Sequence, residues 1–250
     1  MNNTVRISAI SLVAALVAAL LGPALSPLCA QSIPGAVLAQ HEPHHHVAYA
    51  DATMRVLRVH VPPHDTTLLH EHGPDYFWIA LGASEVVNAR LGAPDATIKS
   101  SDVSVHYTPG KFAHVARNPG STSFDNITIE LLQPQSNVRN ACEPALGGQP
   151  VHCTRPSGPA TGLTAGTEHP AFSTDRLRVS VLTLGPGEKM RPRIARERWI
   201  IALDTADTRS ALTTTGQARW MGGVLHSSGK GLTVRNGSTR DIRFLLAERR

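Results

Sequence analysis

Three passages in this chain occur twice. TMRVLRVHV from Thr53 is answered by TDRLRVSVL from Thr174, DYFWIALG from Asp75 by ERWIIALD from Glu197, and ARNPGST from Ala116 by VRNGST from Val234. The matches keep their order and share a displacement of about 120 residues. Such a duplication restricts the fold to two copies of one unit, each small enough to be a domain of its own. Within each unit the apolar residues come in strand-length segments, among them MRVLRVHV, TLLHEH, YFWIAL and NITIELL, divided by turn residues. Charged residues make up 17% of the chain and aromatics 4%, against 20 Gly and 18 Pro. Long charged helices are thereby excluded, and the expected class is all-β.

Around the two units the composition changes. Arg6 precedes an apolar run from Ile7 to Leu21, with Pro23 and Ser26 after it. This is the pattern of an export signal over residues 1–30, with cleavage after Ala30 or as late as Ala39. The run is too short and Ala-rich for a span, although an uncleaved anchor is the alternative reading. Residues 31–51, with HEPHHH at His41–His46, are expected to form a flexible tail, with capture of transition metals for a nearby site as the alternative reading of the tract. The first β domain is placed at 52–133, a Pro/Gly-rich linker at 134–170 and the second β domain at 171–250. The linker holds Cys142 and Cys153, and export favours a disulfide between them over a reactive pair. Lys plus Arg exceeds Asp plus Glu by 24 to 19, without a basic stripe or nucleic-acid module. These features predict a periplasmic or secreted protein with no nucleic-acid partner and no stable membrane span once the signal is removed.

The residues with the clearest chemistry lie in LLHEHGPDYFWIALG. On a strand, His70 and His72 point to the same face, and the Gly73–Pro74 turn can bring Asp75 back beside them. Two imidazoles side by side with a carboxylate beside them make a good geometry for holding a metal ion. Further along stand Pro109, Gly110, His114 and Asn118. Each half resembles a cupin, and the whole chain a bicupin. In the first cupin motif His64 stands at the opening Gly, His70 and His72 fill the histidine pair, Asp75 takes the Glu position one residue early, and Gly82 closes. In the second, Pro109, His114 and Asn118 are in register and the Gly is displaced by one to Gly110. The resemblance implies two tandem jelly-roll β-barrels, with His70, His72 and His114, and Asp75 as a fourth candidate, ligating iron, manganese, nickel, copper or zinc. Tyr76, Tyr107 and His64 are candidate catalytic groups, and Phe77 and Phe112 are expected to wall the pocket.

In the second copy the frame persists and the ligands do not. Arg191 and Arg193 stand where the histidine pair is expected, ahead of Glu197, and Leu232 takes the slot of His114. Guanidinium cannot ligate a metal. Arg191 and Arg193 either bind an anion or pair internally with Glu197. The resemblance implies an exported, metal-dependent enzyme of oxygenase (dioxygenase-like), lyase or isomerase type acting on a small organic molecule. Two alternatives stand beside it. One is a non-catalytic cupin that holds a metal or small ligand; the other is an association protein with inert barrels, as in a homodimer formed through sheet edges.

Overall fold

The computed structural model describes residues 33–139 and 167–250, apart from 193, 204–211, 217 and 230–231. The signal segment, Cys142 and Cys153 lie outside the described residues. In the first half run β1 (Val37–Leu38), β2 (His45–Ala50), β3 (Met54–Val61), β4 (His70–His72), β5 (Tyr76–Ala80), β6 (Ser84–Arg90), β7 (Ala96–Ser100), β8 (Val105–Thr108), β9 (Phe112–Arg117) and β10 (Phe124–Leu131). In the second run β11 (Thr167–Ser173), β12 (Leu177–Leu184), β13 (Lys189–Met190), β14 (Arg198–Ala202), β15 (Leu212–Thr215), β16 (Ala218–Met221), β17 (Val224–Ser227), β18 (Thr233–Asn236) and β19 (Ile242–Arg249).

The sheets repeat as the sequence does. In the first half the orders are β1-β4-β9-β6-β7 and β2-β3-β10-β5-β8; in the second they are β13-β18-β15 and β11-β12-β19-β14-β17-β16. The registers agree residue by residue: Tyr76 pairs with Glu130 as Arg198 pairs with Glu248, and Val59 with Asn126 as Leu182 with Phe244. The architecture is all-β, four sheets consistent with two jelly rolls.

Three apolar layers hold it together. Leu57, Val59, Trp78, Val86, Ala116 and Phe124 fill the first barrel, and Leu182, Ile200, Leu232, Val234, Phe244 and Leu246 fill the second. Between the barrels lies a third cluster drawn from both halves, including Phe77, Ile79, Ile129, Phe172, Val179, Trp199 and Leu245. Each central strand is therefore buried on both faces, as the unbroken burial of β5 and β14 shows. Trp199 Nε1 donates to Asp51 across this interface at 2.9 Å, and Phe172 meets Phe77 edge to face at 4.9 Å.

Two expected boundaries move. The tail expected over 31–51 is built into the first barrel: β1 pairs in parallel with β4, β2 pairs antiparallel with β3, and a short 3-10 turn at Ala39–His41 joins them. Buried Glu42 fixes that turn by accepting hydrogen bonds from the backbone N–H of His44 and Leu68 and from the rings of His44 and His45. In the expected linker, Arg139 bridges Ser173, and β11 begins at Thr167. Pro170 is tolerated there because β11 is an edge strand and bulges between Pro170 and Phe172.

Candidate metal centre

Four histidines converge between the two sheets of the first barrel. His70 and His72 alternate with Glu71 on β4, so both point inward. His114 is the register partner of His70 on β9, which brings their ring centroids to 4.3 Å. The fourth is His45, from β2 in the facing sheet, 4.6 Å from the His70 ring. Ring nitrogens of His45, His70 and His72 all lie within 4.8 Å of one another, a span that one cation can bridge. His114 stands 5.4 Å from His72, centroid to centroid.

What surrounds each ring decides which nitrogen is free. Nδ1 of His70 donates to the Leu68 carbonyl at 2.9 Å, and Nδ1 of His114 to Asn88 Oδ1 at 2.5 Å. Nδ1 of His72 faces Glu130 at 3.3 Å, and Nδ1 of His45 faces Glu42 at 2.5 Å. With Nδ1 carrying the proton, the lone pair sits on Nε2. In His70 and His114 that Nε2 is buried with no hydrogen-bond partner. Two orphaned ring nitrogens side by side are costly in a fold unless something electrophilic binds them. Carboxylate or carbonyl acceptors behind metal-binding imidazoles are the usual second layer of such centres. The donor set therefore fits a divalent transition metal.

Burial keeps the rings of His70, His72 and His114 neutral. Burial, helped by neighbouring His45 and His72, lowers His70 to about 3. Burial likewise lowers His72, against the pull of Glu130, and takes His114 well down with help from His70 and His72. Burial raises Glu42, but hydrogen bonds from His45 and His44 outweigh it and hold the carboxyl at about 2. A cavity of about 40 Å³ opens beside the histidines, lined among others by Tyr76, Trp78, Asn88, Asn126 and Thr128. It has room for a few waters.

No family model and no curated protein sequence matches the chain. Solved structures do. The crystal structure of AerE from Microcystis aeruginosa superposes with a TM-score of 0.58 at 12% identity, covering 83% of this chain and 93% of that one. Vicilin from hazelnut, Corylus avellana, superposes at 0.51 and 10% identity, over 79% of this chain and 75% of its own. At such identities the likeness concerns the fold.

The protein has a bicupin fold.

Within the bicupin, the other expected site residues separate. Tyr76 is in the site, its ring stacked on His72 at 4.1 Å; burial raises its hydroxyl, which does not close a hydrogen bond with neighbouring Thr108. Phe112 lies 5.4 Å from His114, beneath the Arg90 guanidinium. Phe77 does not wall the pocket. On β5 it is Tyr76, Trp78 and Ala80 that face inward, and Phe77 meets the second barrel. Tyr107 also lies in the inter-barrel layer, where it donates to Asp75 at 2.5 Å. The other Asp75 oxygen accepts from Gly110 N–H at 3.0 Å, so Asp75 closes a loop rather than joining the histidines. Gly110 is required there, since a Cβ would stand 2.1 Å from the Pro74 carbonyl oxygen. His64 sits on an exposed turn with φ +59°, away from the site. The residue that sequence reasoning missed is His45; the signal available was a Glu three residues before it.

In the second barrel of the bicupin the arginine assignment shifts by one. Met190 pairs with Val234 and is buried, which leaves Lys189 and Arg191 facing outward and exposed. A slip of one residue exchanges the two faces of a strand. Arg193 lies outside the described residues. Glu197 does not pair with Arg191; it accepts from His226 at 3.0 Å and Arg249 at 2.8 Å. The buried cation is Arg198, which donates to Glu248 at 2.6 Å and to the carbonyls of Arg196 and Ile194.

Proposed function

We propose that the first barrel holds one divalent transition metal on His45, His70, His72 and His114, and that the protein is a metal-dependent enzyme of oxygenase, lyase or isomerase type acting on a small organic molecule. The observation that carries this is the pair of buried, unpartnered Nε2 atoms on His70 and His114, each ring fixed through Nδ1. Iron, manganese, nickel, copper and zinc all accept such imidazoles. A cation bound there polarises an oxygen atom of a ligand beside it. The chain supplies the rest. Glu42, Leu68, Glu130 and Asn88 orient the rings, Tyr76 offers a hydroxyl proton from its stack on His72, and Val59, Val86 and Phe124 give the cavity an apolar wall.

Export is part of the same proposal. Cleavage after Ala39 would remove the paired Val37–Leu38, whereas cleavage after Ala30 leaves the described fold whole, so the earlier site is favoured. Among the described residues no helix is long and apolar enough to cross a membrane. Purified protein loaded in turn with each metal and offered small organic acids, with oxygen uptake and product analysis as readouts, tests the enzyme reading. Stoichiometric metal without any turnover would leave a non-catalytic metal-binding cupin in its place.

A further inference from the structure

A second space lies outside the first barrel, where the two barrels meet. It is an open cleft of about 880 Å³, with Leu81 and Asp125 lining it from the first half and Leu203 and Arg243 from the second. These are equivalent positions, because Asn126 pairs with Ala80 as Phe244 pairs with Ala202. The cleft therefore straddles the seam of the duplication.

Most of its charges are already matched. Asp102 accepts from Arg243 at 2.6 Å and from the Gly82 N–H at 2.9 Å, and Asp125 holds His60 at 2.6 Å and the Ser123 hydroxyl. Arg240 has a partner of its own, and Asp241 is exposed to water. Arg58 differs. Its half-buried guanidinium makes one hydrogen bond among the described residues, from Nη2 to the Ala202 carbonyl at 3.3 Å. Burial lowers its pKa, and no carboxylate stands by to offset that. A guanidinium carries five N–H donors in a planar fork, so most of the fork is left for the cleft that Arg58 lines. The side chain is also fixed from behind, since a Cβ on Gly223 would stand 2.8 Å from Nη2.

The fold itself does not require a cation there. Arg58 pairs with Ile127 as Val181 pairs with Leu245, so the second half puts a valine at the same place, packed against the inter-barrel layer. Nor does Arg58 belong to the histidine cavity. Alternation on β3 turns Val59 into the first barrel and Arg58 toward the second.

We infer that this cleft binds a small organic acid, its carboxylate on the Arg58 guanidinium and its apolar body along Leu81 and Leu203. A carboxylate matches the fork because it accepts two parallel N–H bonds. One negative charge suits the cleft better than two, since Asp102, Asp125 and Asp241 line the same space. The site is independent of the metal.

The test uses metal-free protein from Gln31 onward, with amide NMR shifts followed during titration with hexanoate; hexanol and inorganic phosphate are the controls. The expected result is saturable shifts with hexanoate centred on Arg58, Gly82 and Leu203, and binding of both controls about 10-fold weaker or less. Arg58→Gln should weaken hexanoate about 10-fold, the loss of hydrogen bonds between two charged groups. Should that variant fail to fold, Arg58→Lys, which keeps the charge and loses the fork, takes its place with the same expectation. The assignment is overturned if hexanoate gives no saturable shift, if either control binds as well, if the folded variant keeps wild-type affinity, or if the shifts centre on His70 and His114.

Discussion

The two barrels share a strand order and a register, yet one keeps a polar, metal-type interior and the other an apolar one. Position by position, Tyr76 becomes Arg198, Trp78 becomes Ile200, Asn126 becomes Phe244 and Thr128 becomes Leu246. Glu130 becomes Glu248, a carboxylate retained with a changed partner: in the first barrel it holds His72, in the second it neutralises buried Arg198. Asn118 and Asn236 do not change at all, each donating to backbone carbonyls across its loop at 2.7–3.0 Å. The contrast separates residues that make the barrel from residues that make the site. The asparagine belongs to the barrel, the histidines belong to the site, and the glutamate has passed from one role to the other.

The strongest way to break this comparison is at the shared glutamate. Glu248→Gln leaves Arg198, only 1% exposed, without its counter-charge, and should cost about 3–5 kcal/mol in urea unfolding with no change in metal affinity. Glu130→Gln should do the reverse. Arg55 can turn to water, so stability changes little, while metal affinity falls about 10–100-fold because His72 loses the acceptor that orients it. Equal metal affinities in wild type and Glu130→Gln would remove the carboxylate from the centre. Next come the two asparagines. Asn118→Ala and Asn236→Ala should each cost about 1 kcal/mol, and by the same amount, since they do the same work in both halves. A metal effect from Asn118→Ala larger than its stability effect would contradict that equivalence.

The mildest contrast is one of pH. His70 has a folded value of about 3 against an ordinary 6.5, so the unfolded chain binds more protons between those limits. Stability of the metal-free protein is then full above about pH 6.5 and declines as pH falls toward 3. Thermal midpoints at about pH 7.5 and 5.5 should differ more in wild type than in His70→Leu, which removes one of the titrating rings. Identical shifts in the two would mean that His70 is not held neutral.

Much of this was legible from the sequence. His70 and His72 are two apart on a strand, a spacing that survives any folding of the unit, and His114 follows from the second motif. The duplication gave the architecture, because the same strands had to occur twice. Phe77 and Tyr107 were misplaced because alternation reports a face and not what covers it. Phe77 and Tyr107 sit on strands buried on both sides, and only the second barrel shows which side is the interior. His45 was hidden differently. It lies in a histidine-rich tract, and a bulge between Val47 and Tyr49 breaks the period that would have marked β2 as a strand. Arg191 was misplaced by one residue because motif spacing, unlike hydrogen-bond register, carries no face.

The central claim is best tested by the metal content of untagged protein, compared between wild type and His114→Leu, which copies the residue found in the second barrel. The account predicts about one divalent transition metal per wild-type chain, the stoichiometry of a single closed histidine cluster, and loss of that metal in the variant although the exposed His41 and His46 remain. Retention of the metal by His114→Leu, or a wild-type chain that binds none of iron, manganese, nickel, copper and zinc, would contradict it.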